Sequence, residues 1–459
     1  MGVKQVKIDV NELVVGMFIS GLDRPWSQTP FPLQGFYVRD MDEIRELKAH
    51  CRHVYIDAVK GRSPVATRLK TLDEKSTAIS PIRRPAARAS KSERFKQNVS
   101  PLKIRRNAYG PVTQTLRAEI SNARQLHSRV YYAVTEVMSQ IGSGHSVPLA
   151  ETKQFASDMV DSVVRNPDAF TWLTRVRETD EHTYAHAVRS AVWAIIFGRH
   201  IGLSISDLNT LAMGVLFKDV GKTKLNKNLL IKLQLTNEEV REYEKFVEYG
   251  VEILRKTPNV EPRTISVVKT HCERVNGSGF PQHLSGDKIP LLGKIAGIVT
   301  FYDSTINARG QSQPLAPSRA VAKLYEMRDV EFQEELVVEF IRAIGLYPTG
   351  TLVELSNGEI AVVVEQNFSR RLKPKVMVVM DAMRHTLNKP YLLDLAEVEQ
   401  KHAKLIESSR KMIDTDVVEI ARDLEPGKFD VDIAQIRDDY LFSQIGKTKK
   451  SFFSFFRKH

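Results

Sequence analysis

Three short stretches of this chain combine residue types that ligate metals or handle phosphate. In the first, DEHTYAHAVRSAVWAIIFGRHIGLS, His182 and His186 stand four residues apart. On a helix that spacing puts both side chains on one face. In the second, VLFKDVGKTKL, Asp219 closes an apolar helical run, and Gly221 and Lys222 follow it. In the third, VVKTHCERVNGSGFPQHLSGDKIPLLGKIAGIVTFYDS, His271 ends another apolar run and a Gly-rich loop leads to a helix carrying Asp303. Imidazoles and carboxylates gathered from several helices can hold divalent cations, which neutralise a phosphodiester and generate hydroxide near neutral pH. A nearby lysine can stabilise charge on the phosphoryl oxygens. Taken singly, each stretch has a plainer reading. A lone helical histidine is more often a core or surface residue than a ligand, and a Gly-rich turn ending in proline is usually only a turn. Order and spacing together are what point to a site.

The elements that must position these groups are helical. From Val112 to about Gly345 the apolar residues recur at helical spacing, beginning with Leu116, Ile120, Ala123 and Leu126 and continuing through Val130, Val134 and Val137. After this long helix at 112–141, the pattern predicts helices at 149–165, 181–201, 205–217, 237–256, 260–272, 290–307 and 316–343, with Gly and Pro in the loops between. A region of this kind without strand alternation is an α-bundle.

The flanks differ. Residues 1–64 read as a small α/β domain, with strand-like patches in QVKIDVNEL, VGMFIS and HVYIDAV and helical spacing at Ile44, Leu47 and Cys51. Residues 65–110 are rich in Ser, Pro, Ala and Arg and read as a basic, disordered linker. The helical domain is expected over 111–345. At Gly350 the period changes to two: TLVELSNGEIAVVVEQN is a strand–turn–strand with Asn-Gly at the turn, and KPKVMVVMDA adds a third strand. This predicts a small β-subdomain at 346–394. Residues 395–459 combine a polar helix, acidic segments and the tail KTKKSFFSFFRKH, which could rest on a membrane surface, dock on a partner or simply fray.

Bulk properties narrow the class. The 459 residues allow two or three domains, and 42% hydrophobic residues are enough for a sizeable core. The net charge of +12 sits mostly in one place, since residues 66–107 hold twelve Lys and Arg against three Asp and Glu. The excess therefore says little about nucleic-acid binding by the folded domains. No apolar run approaches the ~20 residues that cross a bilayer, and the N-terminus lacks a signal-peptide core. Val6 stands where a myristoylation signal wants Ser or Thr. The two cysteines, Cys51 and Cys272, suggest a reducing cytoplasm.

Together, TYAHAVRSAVWA, KDVGK, FVEYGVEIL, HCERVNGSGFP and IVTFYDS resemble, in order, the motifs of the bacterial HD-GYP family, over roughly residues 175–345. These metal-dependent members of the HD superfamily cleave cyclic di-GMP. The resemblance implies a mainly α fold, an HD-type helical bundle flanked by a small N-terminal α/β domain of unassigned function and a small C-terminal β-subdomain. It also implies a divalent metal (Mn, Fe or Mg), cyclic di-GMP or other signalling proteins as partners, and a homodimer.

Position by position, His186 matches the first-helix ligand and Asp219 the bridging carboxylate, while Lys218 replaces the histidine of the His-Asp pair. Phe246 stands at the mid-domain histidine. His271 matches the first of the paired histidines, Cys272 replaces the second, and Glu273 is kept. Asn276 replaces the loop aspartate; Gly277, Gly279 and Pro281 remain, with Phe280 for tyrosine. Thr300 occupies the first closing-helix aspartate and Asp303 the second. The resemblance thus assigns catalytic roles to Lys222 and Asp219, metal ligation to His186, Asp219, His271 and Cys272, and ligand contacts to Lys218, Lys222, Arg274, Gly277, Gly279, Phe280 and Pro281. His182, one turn before His186, either adds a donor or lies on the surface. With so many ligands changed, the expectation is a non-hydrolytic nucleotide sensor or adaptor. The competing readings are a residual phosphodiesterase and a binder of nucleic acid or membrane acting through residues 66–107 and the tail.

Overall fold

The computed structural model describes residues 5–57, 100–142, 150–175, 185–307, 314–408 and 417–442, less positions 25, 27, 28, 30, 32–34, 40, 101, 103, 106, 107, 111, 233 and 369. The chain divides into two compact units, residues 1–89 with 367–373 and residues 90–366 with 374–459.

The first unit contains β1 (Gln5–Asp9), β2 (Phe18–Leu22), β3 (Phe36–Tyr37), α1 (Met41–His50) and β4 (His53–Asp57). The strands form an antiparallel sheet in the order β1-β4-β2-β3, with Ile8 opposite Val54. Alternation buries Val54 and Ile56 beside Ile19, and the α1 residues Ile44 and Leu47 close the same core. This is the small α/β unit expected from the sequence.

The second unit is built on helices. α2 (Leu116–Gly142) buries the stripe Leu116, Ile120, Ala123, Leu126, Val130, Val134 and Val137, the face its spacing predicts. Then follow α3 (Ala150–Arg165), α4 (Pro167–Arg175), α5 (Ala185–Ile201) and α6 (Ile205–Leu216). After a 3-10 turn at Val220–Lys224 come α7 (Lys227–Ile231), α8 (Asn237–Glu244), α9 (Phe246–Lys256) and α10 (Pro262–Thr270). α11 (Leu291–Ile306), α12 (Pro317–Glu326) and α13 (Glu334–Ile344) complete the bundle. α5 is apolar on nearly every side because α6, α11 and α13 all pack on it.

Three helix expectations need correction. The run at 316–343 is two helices, parted by a tight turn in which Asp329 takes a left-handed φ of 58°. The run at 237–256 breaks at Lys245, which caps α8 and opens α9. α4 was not expected at all; it starts on Pro167, a favoured first helical residue, with Asn166 Oδ1 accepting the Asp168 amide at 3.0 Å.

The remainder is a five-stranded antiparallel sheet, β5 (Leu352–Leu355), β6 (Ile360–Glu365), β7 (Lys375–Met380), β8 (Thr386–Asp394) and β9 (Ile420–Asp423), in the order β8-β7-β6-β5-β9. β5 and β6 turn at Asn357-Gly358, where Gly358 has φ 86°. Only three of these strands were legible in the sequence. α14 (Leu395–Ser408) and α15 (Ile433–Phe442) follow β8 and β9 respectively. The sheet is tied to the bundle by Trp172 Nε1, which donates to Val364 O at 3.0 Å.

Most of the expected linker, and the tail after 442, lie outside the described residues. The linker's last part does not stand away from the helices: Arg105 N donates to Ile201 O at 3.0 Å, Tyr109 OH to Leu203 O at 2.6 Å, and Ser100 N to Asp287 Oδ2 at 2.8 Å.

Candidate functional site

α6 begins at Ser204, whose hydroxyl accepts the Asp207 amide at 3.1 Å, and its apolar run ends at Leu216. The chain then turns sharply, placing Lys218 and Asp219 just beyond the helix. The turn presses against the start of α9: a Cβ on Gly221 would lie 1.8 Å from Phe246 O. α10 starts on Pro262 and is capped at its end by His271. These helix ends, with α5 and α11, bring His186, Lys218, Asp219, Lys222, Phe246, His271, Cys272 and Asp303 into one cluster.

Asp219 is held by two cations. Lys218 Nζ bonds Asp219 Oδ2, and Lys222 Nζ lies 2.7 Å from Oδ1. Lys218 is 0% exposed, whereas the Lys222 side chain is 28% exposed, with its ammonium 4.9 Å from the Phe246 ring centre and 5.5 Å from that of Tyr243. Burial by itself would raise the Asp219 carboxyl, but the two ammonium groups outweigh it and hold the carboxyl well below its usual range. Burial pulls the Lys218 ammonium down from its ordinary value, with Asp219 opposing. Lys222 goes the other way, because Asp219 more than offsets burial.

A second knot surrounds Asp303, which is 0% exposed. His186 Nδ1 lies 2.7 Å from Oδ2; Trp193 Nε1 donates at 3.3 Å, Asn307 Nδ2 at 2.9 Å, and Arg189 Nε reaches both oxygens at 3.3 Å. Burial would raise this carboxyl, yet Arg189 and His186 bring it down to about 2. Arg189, Trp193 and Asn307 were missed by sequence reasoning. The signal was present for two of them, since positions 186, 189 and 193 share one helical face.

His271 is buried, and its Nδ1–H donates to Val268 O at 2.8 Å, leaving Nε2 as the acceptor. Cys272 Sγ lies 3.2 Å from that Nε2. Burial, reinforced by Lys218, lowers the His271 imidazole to about 3, and burial pushes the Cys272 thiol up to about 12. Phe246 packs edge-on to His271 with ring centres 5.9 Å apart and similarly to Phe280 at 6.0 Å. Thr300 Oγ1 is buried without a hydrogen-bond partner.

The loop after Cys272 is held from within. Glu273 is buried, and its two oxygens accept the Gln282 and Leu284 amides at 2.8 and 2.9 Å. Asn276 Oδ1 accepts from the Ser278 amide and hydroxyl. Gly277 has φ 79°, and a Cβ on Gly279 would meet Cys272 O at 2.4 Å. Arg274 turns inward, donating to Glu273 O at 2.9 Å and lying 4.8 Å from the Phe332 ring centre. Phe280 and Pro281 are half-buried at the loop's end. His182 lies outside the described residues.

Residues 175–336 match the HD domain family. Over that stretch the chain carries an HD domain. A domain of unknown function, DUF3391, matches residues 5–152, and a KOW domain associated with HD domains matches 352–402. The chain is 26% identical over 400 residues to a cyclic di-GMP phosphodiesterase of Pseudomonas aeruginosa, covering 86% of this chain and 90% of that protein. It is 30% identical over 167 residues to a 3'3'-cGAMP-specific phosphodiesterase of Vibrio cholerae, covering 35% and 31%. Against the cyclic di-GMP phosphodiesterase response regulator of Xanthomonas campestris it is 26% identical, covering 50% and 58%. A solved structure, the HDG"Y"P protein Bd1817 of Bdellovibrio bacteriovorus, aligns with a TM-score of 0.42 at 15% identity, covering 73% of this chain and 98% of that one. No described helix is long and apolar enough to cross a membrane.

Phosphodiesterases of the HD family generally depend on metal. The side chains here do not suit a divalent ion: both Asp219 oxygens carry ammonium groups, Asp303 is surrounded by donors, and His271 Nε2 faces a thiol. Among the described residues, no group of three His, Cys, Asp or Glu side chains can hold a metal.

Proposed function

We propose that this HD-domain protein belongs to cyclic di-GMP signalling and no longer hydrolyses the nucleotide, acting in the cytoplasm as a nucleotide sensor or as an adaptor for other signalling proteins. The observation that carries this reading is the pairing of Asp219 with Lys218 and Lys222. A carboxylate engaged in that way has no oxygen left to bridge metals, and without metal the hydroxide that opens a phosphodiester is not formed. The losses at Phe246 and Thr300 act in the same direction. The cyclic di-GMP phosphodiesterase of P. aeruginosa, similar over most of both chains, supports the choice of signalling system.

In this reading Lys222 is the group that meets ligand phosphate, since its side chain is partly exposed and its ammonium lies over aromatic faces. Phe280, Pro281 and the Gly277–Gly279 backbone supply the adjoining wall. Arg274 and Lys218 act from behind, Arg274 by bracing the loop and Lys218 by fixing Asp219. The test is calorimetric titration of cyclic di-GMP into the purified chain, with and without manganese, beside a product assay. Metal-independent binding without turnover is expected of the sensor. Neither binding nor turnover would leave the adaptor role, and steady hydrolysis with stoichiometric metal would overturn the proposal.

A further inference from the structure

The site has lost donors, but its carboxylates Asp219 and Asp303 and its imidazoles His186 and His271 each keep a partner within the chain. The oxygens of Asp219 and the Nε2 of His271 are engaged by groups of the chain itself. Lys218, supplied from the position directly before Asp219, sends a fully buried ammonium onto that carboxylate. Cys272, directly after His271, places its thiol on the imidazole Nε2 at 3.2 Å. The two imidazoles are nevertheless wired as metal-bound imidazoles usually are, each with Nδ1 engaged by an acceptor, Asp303 Oδ2 for His186 and Val268 O for His271. The positive charge of Lys218 acts on both rings and on Asp219, which places all three within its field.

An isolated lysine ammonium is not buried to 0% exposure without a partner that justifies its desolvation. Here the partner is the carboxylate that in a hydrolytic HD domain would face the metal. Phe246, at a lost donor position, fills its space with a ring against His271 and so adds apolar packing instead of another lone pair.

We propose that the Lys218 ammonium is a tethered cation that takes the structural place of the metal, so that the helix ends of this HD domain are held together without any bound ion. The proposal deepens the non-hydrolytic reading but concerns what holds the cluster, and it stands or falls separately from nucleotide binding.

The experiment uses the full chain and reads the thermal midpoint. Wild type is expected to show no shift with EDTA or cobalt(II), whereas Lys218→Ala is expected to melt lower and to recover as cobalt is added, by binding to the folded state alone. A wild-type midpoint that falls with EDTA overturns the proposal. So does a Lys218→Ala protein as stable as wild type, or one that cobalt fails to restore. Because Lys218→Ala could fail to fold, a second set compares Lys218→Met, Asp219→Asn and the double variant. The double variant is expected to lose less than the sum of the two single losses, since the buried charge leaves with its partner. Simple additivity also overturns the proposal. Titration of cyclic di-GMP into the same wild-type sample tests the functional reading independently of these midpoints.

Discussion

His186 on α5 meets Asp303 on α11 at 2.7 Å, joining positions 117 residues apart in the chain. The contact lies in the interior, where Arg189, Trp193 and Asn307 reach the same carboxylate. Replacing Asp303 by Ala removes the acceptor for all four and leaves the Arg189 guanidinium buried beside a void. A loss of about 3–5 kcal/mol is expected, read from denaturant unfolding of the purified variant. Loss below about 1 kcal/mol would mean that the network contributes little to holding α5 on α11.

Acid should loosen the cluster before it reaches ordinary carboxylate values. The His271 imidazole is held neutral in the fold, with its protonation lowered from 6.5 to about 3. The unfolded chain therefore binds the proton first, and the stability this group contributes is complete above pH 6.5 and drains away as pH falls towards 3. The depressed Asp303 carboxyl contributes a loss of the same sign at lower pH, between its ordinary value of 3.8 and about 2. Thermal midpoints recorded from pH 7 to pH 4 should fall. His271→Gln should flatten that slope while lowering the midpoint at pH 7, and an unchanged slope would remove His271 from the account.

Glu273 holds the loop by accepting the Gln282 and Leu284 amides. Glu273→Gln removes the charge and one acceptor, at an expected loss of about 1–3 kcal/mol. Hydrogen exchange should speed up at those two amides more than along α10. Equal acceleration throughout would indicate general destabilisation and not a released loop.

Gly221 is expected to tolerate no side chain. Its virtual Cβ falls 1.8 Å from Phe246 O and 2.4 Å from Gly250 N, both backbone atoms, so relief requires α9 to move. Gly221→Ala should cost about 1–3 kcal/mol or more and should shift the Phe246 ring away from His271. That displacement can be followed by the ring-current shift of the His271 protons. A variant of wild-type stability would show that α9 yields freely.

Helical periodicity made most of the bundle legible, because α2, α3, α5, α6 and α9 through α13 each present a stripe or an all-round apolar surface. Breaks such as that at Asp329 were not legible, since a turn of a few residues hardly disturbs the spacing of Leu324 and Leu336 on either side. β8 and β9 were hidden for a different reason. They are the edge strands of the sheet, and β8 is exposed or half-buried along nearly all its length and contains Pro390, which an edge strand tolerates and a central one does not. At the site, the order of His186, Asp219, His271 and Asp303 located the cluster. Its internal pairing was out of reach, because a sequence shows that Lys218 adjoins Asp219 but not that its side chain folds inward. Likewise the sequence shows that Glu273 is kept, but not that it closes the loop by accepting the Gln282 and Leu284 amides.

A bound ion comes and goes with its concentration, and an enzyme built around one inherits the supply of manganese or iron in its surroundings. The ammonium on Asp219 is delivered by the neighbouring residue of the same backbone, so its occupancy does not obey mass action. On this arrangement the domain keeps one state through metal starvation and metal excess alike, where a metal-loaded relative would change with the growth medium.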